Sequence, residues 1–291
     1  MDESYQPLFS DVRSNPYIIP LPEKPTDSNI KYIKYIVDSR DRNVSQFPTP
    51  SKYEVDLFQN ILNVTSLELM LADVPFSRYL IHNNNNTLHY NENSEISIEN
   101  GDYEFDISNI ITALDNQLPS INVTLNTNTN KVTFSSISSF TLKFKGDSVT
   151  HASNRADVLM KKNSIGRILG FGINDYIAER NANNNKFEIV SPYPASTTTE
   201  NYIIMKLSRA KIYAANNKPA DDCFAVLNNI SSREPTNNYV TSVIKKFNPP
   251  LAAYEKLNIS FYDYYGNIYD FNNRDHHFEL KFGVLREGRR M

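Results

Sequence analysis

Apolar residues recur at every second position along most of this chain, which is the spacing of strands that bury one face. Ile33, Tyr35 and Val37 alternate with Lys34 and Ile36, and Tyr53, Val55 and Leu57 alternate with Lys52, Glu54 and Asp56. Val64, Leu67, Leu69 and Leu71 predict a longer strand that runs to Pro75 and carries Glu68 on its other face. Asn83 to Asn86 read as a turn, followed by a hairpin of Leu88 and Tyr90 with Ile96 and Ile98. The clearest hairpin sets Val123 and Leu125 against Val132 and Phe134 around Asn126–Asn130. Phe140, Leu142 and Phe144 alternate again, and Phe187 and Ile189 read as a strand edge. Tyr202, Ile203, Ile204 and Met205 are apolar on both faces, as a central strand is. Phe224 with Val226 and Val243 with Ile244 are shorter candidates. The chain closes on Leu257, Ile259 and Phe261, a turn at Asp263–Asn267, a return over Ile268–Phe271, and a last strand through Phe278, Leu280, Phe282 and Val284.

Two short segments break this period of two. Ile110, Ile111, Leu114 and Leu118 share one helical face, with Ser108 placed to cap it and Pro119 to end it. Ser164 to Gly172 reads as a helical turn closed by glycine. Eight or so short strands with two brief helices predict an all-β fold, an antiparallel β-sandwich. Residues 1–29 stand apart: Pro7, Pro16, Pro20, Pro22 and Pro25 interrupt them and no period is sustained. They read as an extended N-terminal arm before a sandwich domain over 30–291 with long loops. Tyr5, Leu8, Phe9, Tyr17, Ile18, Ile19 and Leu21 make this arm apolar for a solvated tail. It is expected to dock, on its own domain or on a neighbouring subunit, with Tyr17 and Ile18 as candidate contact residues.

Composition narrows the function. A net charge of -3 and a pI near 6.0 give no general attraction to nucleic acid. Three terminal arginines, Arg286, Arg289 and Arg290, with Glu287 among them, are a weak basic signal for lipid or nucleic acid. A single cysteine, Cys223, leaves no intrachain disulfide and none of the cysteine-based zinc frameworks, which fits synthesis in the cytoplasm. No basic-then-apolar leader opens the chain and no apolar run is long enough to span a bilayer. Asn-x-Ser/Thr triplets at Asn43, Asn63, Asn122, Asn229 and Asn258 are what chance gives in a chain so rich in asparagine. With 8 glycines in 291 residues, turns must rest on Asn, Asp and Pro.

No constellation for catalysis stands out. His276 and His277, near Asp263 and Asp275, are the best metal candidates, yet adjacent histidines in a strand point to opposite faces. His82, His89 and His151 are isolated. Asp221 and Asp222 precede Cys223 and would raise its thiol pKa rather than activate it. No nucleophile elbow, phosphate-cradling glycine loop or His-Glu-x-x-His helix occurs. The densest polar cluster is Asp38–Asn43, with two acids and two arginines in a row of six. Either it is a loop satisfied by its own ion pairs that fixes strand entry, or Arg40 or Arg42 offers a planar fork to a carboxylate on a neighbouring subunit.

The run DSRDRNVSQFPTPSKYEVDL, followed closely by ILNVTSLELMLADVPFSRYLI, resembles minor capsid and vertex (penton) structural proteins of nucleocytoplasmic large DNA viruses, the giant viruses. The resemblance continues in order through ENGDYEFDISNIITALDNQL, IGRILGFG, YIIMKLSRAKIY and KLNISFYDYYGNIYDFNNRDHHFELKF, and so covers nearly all of the chain after residue 30 or so. It implies a jelly-roll-like sandwich in an icosahedral shell, with no catalytic residues and no cofactor. Expected partners are the major capsid protein and other minor capsid proteins, or further copies in a homo-pentamer, with no nucleic acid and no direct membrane contact. The expected location is the virion capsid, after synthesis in the host cytoplasm. A vertex protein would close a five-fold ring by itself; a cement protein would stay monomeric until it met the lattice. The rival reading is a carbohydrate- or receptor-binding module on the virion surface, with Tyr262, Tyr264, Tyr265 and Tyr269 as stacking surfaces.

Overall fold

The computed structural model describes residues 29–146, 160–161, 163–197, 202–228 and 243–286. The arm with Tyr17 and Ile18, together with His151, Arg289 and Arg290, lies outside the described residues. Strands β1 (Ile30–Asp38) and β2 (Lys52–Asp73) come first. The middle of the chain holds β3 (Thr87–Tyr90), β4 (Ser94–Ser97), the helix α1 (Ile107–Gln117), β5 (Asn122–Asn126), β6 (Lys131–Ser136), β7 (Thr141–Lys143), β8 (Tyr176–Ile177), β9 (Glu179–Arg180) and β10 (Phe187–Val190). It closes with β11 (Tyr202–Leu207), β12 (Ala225–Asn228), β13 (Val243–Tyr262) and β14 (His277–Leu285). The fold is all-β and antiparallel, as the alternation predicts.

The largest sheet has six strands in the order β1-β14-β2-β13-β11-β12. First strand pairs with last and second with last but one, the nesting produced when a long hairpin rolls up into a jelly roll. β2 and β13 are 22 and 20 residues long and change partners along their length. Residues 64–69 of β2 lie between β13 and β14, whereas 71–73 have β14 alone as a neighbour and 52–56 have β13 alone. Register shifts at Lys246/Leu251 and Tyr254/Lys256 bend the pair between these halves, so the sheet curls around one core. Tyr53 and Leu57 from one half meet Val64, Leu67 and Leu69 from the other in that core. The sequence pattern reads β2 as two strands because the bend exposes Phe58–Asn60 and interrupts the alternation.

A second core is built from residues 80–189. It lies among the sheets β5-β6-β10-β9 and β4-β3-β7-β8 and takes Ile110, Ile111 and Leu114 from α1. The cap of α1 is Asp106, whose carboxylate accepts the Ser108 N–H at 2.8 Å; Ser108 itself lies inside the helix. β10 is an internal strand between β6 and β9, not an edge. Phe144 stacks on Phe171 with ring centroids 4.7 Å apart. The turn at 165–172 passes beside them, and Gly170 closes it at φ +82, where a Cβ would stand 2.1 Å from the Tyr193 carbonyl oxygen.

Candidate functional site

The Asp38–Asn43 cluster is a clasp between the end of β1 and the start of β14. Asp38 ends β1 and takes the Arg40 guanidinium through Nε at 2.9 Å, which holds its carboxyl below the usual range. Arg40 is otherwise turned to solvent, its side chain 73% exposed. Arg42 is turned inward, with 6% of its side chain exposed. It donates to Asp275 Oδ1 and to the Ser39 carbonyl, both at 2.7 Å, and to the Phe47 carbonyl at 3.1 Å. Buried Ser39 completes the join, giving its hydroxyl proton to Asp275 and accepting the His276 N–H.

The two histidines diverge, as the pleat requires. His277 faces Asp73 across 3.6 Å on the outer side. His276 points into the core among the rings of Tyr53, Phe261, Phe271 and Phe278. Its Nε2 meets the Tyr53 hydroxyl at 3.0 Å, and its Nδ1 is buried without a partner. Burial pulls its pKa down to about 3, so the ring is neutral. Among the described residues no group of three His, Cys, Asp or Glu side chains could hold a metal ion, and no helix is long and apolar enough to cross a membrane. Cys223 is fully buried, and burial more than the charge of Asp221 pushes its thiol up to about 11.

The outer face of the curled sheet exposes several large apolar side chains among its charges. Cross-strand register sets Lys34, Lys281, Glu68 and Ile244 in one row, with Ile36, Glu279 and Leu71 beside it. Ile36 is 64% exposed, and Tyr32, Met70 and Ile244 are also exposed. Farther along β2, at the bend, Leu62 is exposed and Phe58 is 98% exposed. Lys281 pairs with Glu68 and lies 5.2 Å over the Tyr32 ring, so the face carries both signs of charge. β1 borders it as an edge strand, nine residues long, whose far side pairs with no described strand. Exposed apolar side chains and an edge strand whose far side has no described partner are chemistry suited to protein contact.

A cleft of about 440 Å³ opens between the two cores. Its floor is fixed by Asp263, 1% exposed, which accepts Arg78 at 2.9 Å and the N–H groups of Tyr265 and Asn267. Arg78 also stacks over Tyr269, 5.1 Å from the ring centre. Arg167 reaches across from the second core to the Tyr265 hydroxyl at 3.3 Å. Lys161, Asn84 and Asn163 line the opposite wall, and burial, with Arg78 nearby, lowers the His82 pKa to about 3. Of the four tyrosines singled out in the sequence, Tyr265 and Tyr269 line this cleft. Tyr264 packs edge-on against Tyr265, and Tyr262 lies under Lys206. Arg78, Lys161 and Arg167 carry no sequence signal, because the cleft joins segments that only the fold brings together; the non-periodic run after Pro75 is the one local sign.

Among solved structures, the chain is similar to one described as the crystal structure of SeMet-labelled mavirus penton protein, with a TM-score of 0.31 and 10% identity over 88% of this chain and 99% of that chain. At that score the likeness carries no argument about fold or role. No curated protein matches. A family model described as Family of unknown function (DUF5901) matches residues 20–253, most of the 291, and the chain belongs to that family.

Proposed function

We propose that this chain is a non-enzymatic structural protein of an icosahedral viral capsid, a minor capsid or penton protein that works through protein–protein contacts. The observation that carries this reading is the outer face of the curled sheet. Ile36 is exposed on the edge strand β1, whose far side pairs with no described strand; Ile244 is exposed three strands away on β13, and Phe58 and Leu62 at the bend of β2. A monomer seldom presents that much apolar area, and an open edge invites a further strand. The ordered sequence resemblance to giant-virus shell proteins supports the same reading. The occupant assigned to this face is another copy of the chain, since its mixed charges, Lys34 and Lys281 with Glu68 and Glu279, complement themselves. Major capsid protein and other minor capsid proteins are the further partners. Arg40, at the rim, offers its guanidinium to a neighbour's carboxylate at the expense of Asp38. Residues 1–29 act as a docking arm. Modest affinity per contact suffices in a symmetric shell.

Immunogold labelling of purified particles tests the virion location: label on the shell supports it and unlabelled particles overturn it. Light scattering after size exclusion, on the full chain and on residues 30–291, tests the role. A pentamer assigns the vertex, and its loss on truncation assigns the arm to the ring interface. A monomer in both forms assigns a cement role and overturns a second copy as the occupant of the outer face.

A further inference from the structure

The cleft between the two cores has a lining that the assembly reading does not use. It shares no residue with the outer face of the sheet. Three cations, Arg78, Lys161 and Arg167, line it, and no carboxylate is among the described residues of its lining. Arg78 is balanced by Asp263 and His82 is neutral, so among the described residues the cleft's uncompensated charge comes from Lys161 and Arg167. The side chains of Lys161, Asn84 and Asn163 have no partner among the described residues, and they face the cleft beside two half-exposed rings, Tyr79 and Tyr265.

We propose that this cleft binds an acidic saccharide. Such a ligand joins an anionic group to a ring that has one apolar face and several hydroxyls. Lys161 and Arg167 would take the carboxylate or sulfate as charge-assisted hydrogen bonds. Asn84 and Asn163 each offer a donor pair and an acceptor to hydroxyls. Tyr79 supplies a face for the ring, beside Tyr265, which holds Arg167 over its own ring 5.9 Å from the centre. The volume of about 440 Å³ suits one or two sugar units. An acidic peptide would find only two uncompensated charges, and a nucleotide would find no glycine-rich phosphate cradle among the described lining residues.

The test is saturation-transfer NMR on the full chain with 3′-sialyllactose, a heparin-derived tetrasaccharide and lactose, followed by titration calorimetry. At least one acidic saccharide binds, and lactose binds at least about tenfold more weakly. Binding to either acid confirms the site, and the stronger of the two identifies carboxylate or sulfate as the anionic group. Lys161→Ala and Arg167→Gln each weaken binding by about tenfold or more while the unfolding midpoint is unchanged. Should Arg167→Gln fail to fold, Lys161→Ala decides alone. The proposal is overturned if neither acidic saccharide binds, if lactose binds as well as they do, or if the folded variants bind like the parent. It is equally overturned if a glutamate hexapeptide or AMP binds more tightly than either saccharide.

Discussion

Arg42 and Asp275, 233 positions apart in the chain, meet through a guanidinium–carboxylate bond of 2.7 Å that closes the first strand onto the last. The same guanidinium reaches the carbonyls of Ser39 and Phe47, so its planar fork serves acceptors that a single ammonium cannot serve together. Arg42→Lys should therefore cost about 2–3 kcal/mol in urea unfolding. Arg40→Ala, which removes an exposed pair, should leave the midpoint where it is. Equal effects of the two substitutions would contradict the clasp.

Arg78 and Asp263 form the more deeply buried ion pair, 10% and 1% exposed. Losing one partner strands the other charge away from water, at about 3–5 kcal/mol. Asp263→Ala should cost more than Arg78→Ala, because Asp263 also accepts the backbone N–H groups of Tyr265 and Asn267. In a double-mutant cycle the double variant should lose less than the sum of the two single losses.

Two histidines set the pH response, His276 buried in the core and His82 half-buried in the cleft wall. His276 and His82 each have a folded pKa near 3, below the ordinary 6.5 of the unfolded chain. Above pH 6.5 both states are neutral at these sites and nothing is lost. As pH falls below 6.5 the unfolded chain takes up protons that the folded chain refuses, and stability drops by about 1.4 kcal/mol per pH unit for each group, down towards pH 3. Urea unfolding at pH 7 and pH 5 should show this fall, and His276→Phe should remove about half of it. An unchanged slope in that variant would show that His276 protonates freely in the fold.

Local pattern carried the strands and little of the site. The Val123–Phe134 hairpin was legible because alternation and an asparagine turn agree there. The helix is legible too, but its cap is Asp106, two residues before Ser108, because both are capping types and only geometry chooses between them. The 22-residue continuity of β2 was hidden by its exposed bend, and the internal place of β10 by a partner only two residues long. In the sequence Arg42 reads as part of a self-satisfied loop or as a fork for a neighbouring subunit, and Asp275 as a neighbour of the histidine pair. Their pairing, like the Arg78–Asp263 pair and the cleft above it, depends on contacts across about two hundred residues that no window of sequence contains.

Sedimentation velocity over a wide concentration range, on the chain and on an Ile36→Lys, Phe58→Lys double variant, tests the assembly surface most directly. Both positions are exposed, so the variant should unfold within about 0.5 kcal/mol of the parent. The parent should associate as concentration rises, and the variant should remain monomeric. A parent that stays monomeric throughout, or a variant that associates equally well, would contradict the outer face as the surface through which copies of this chain meet.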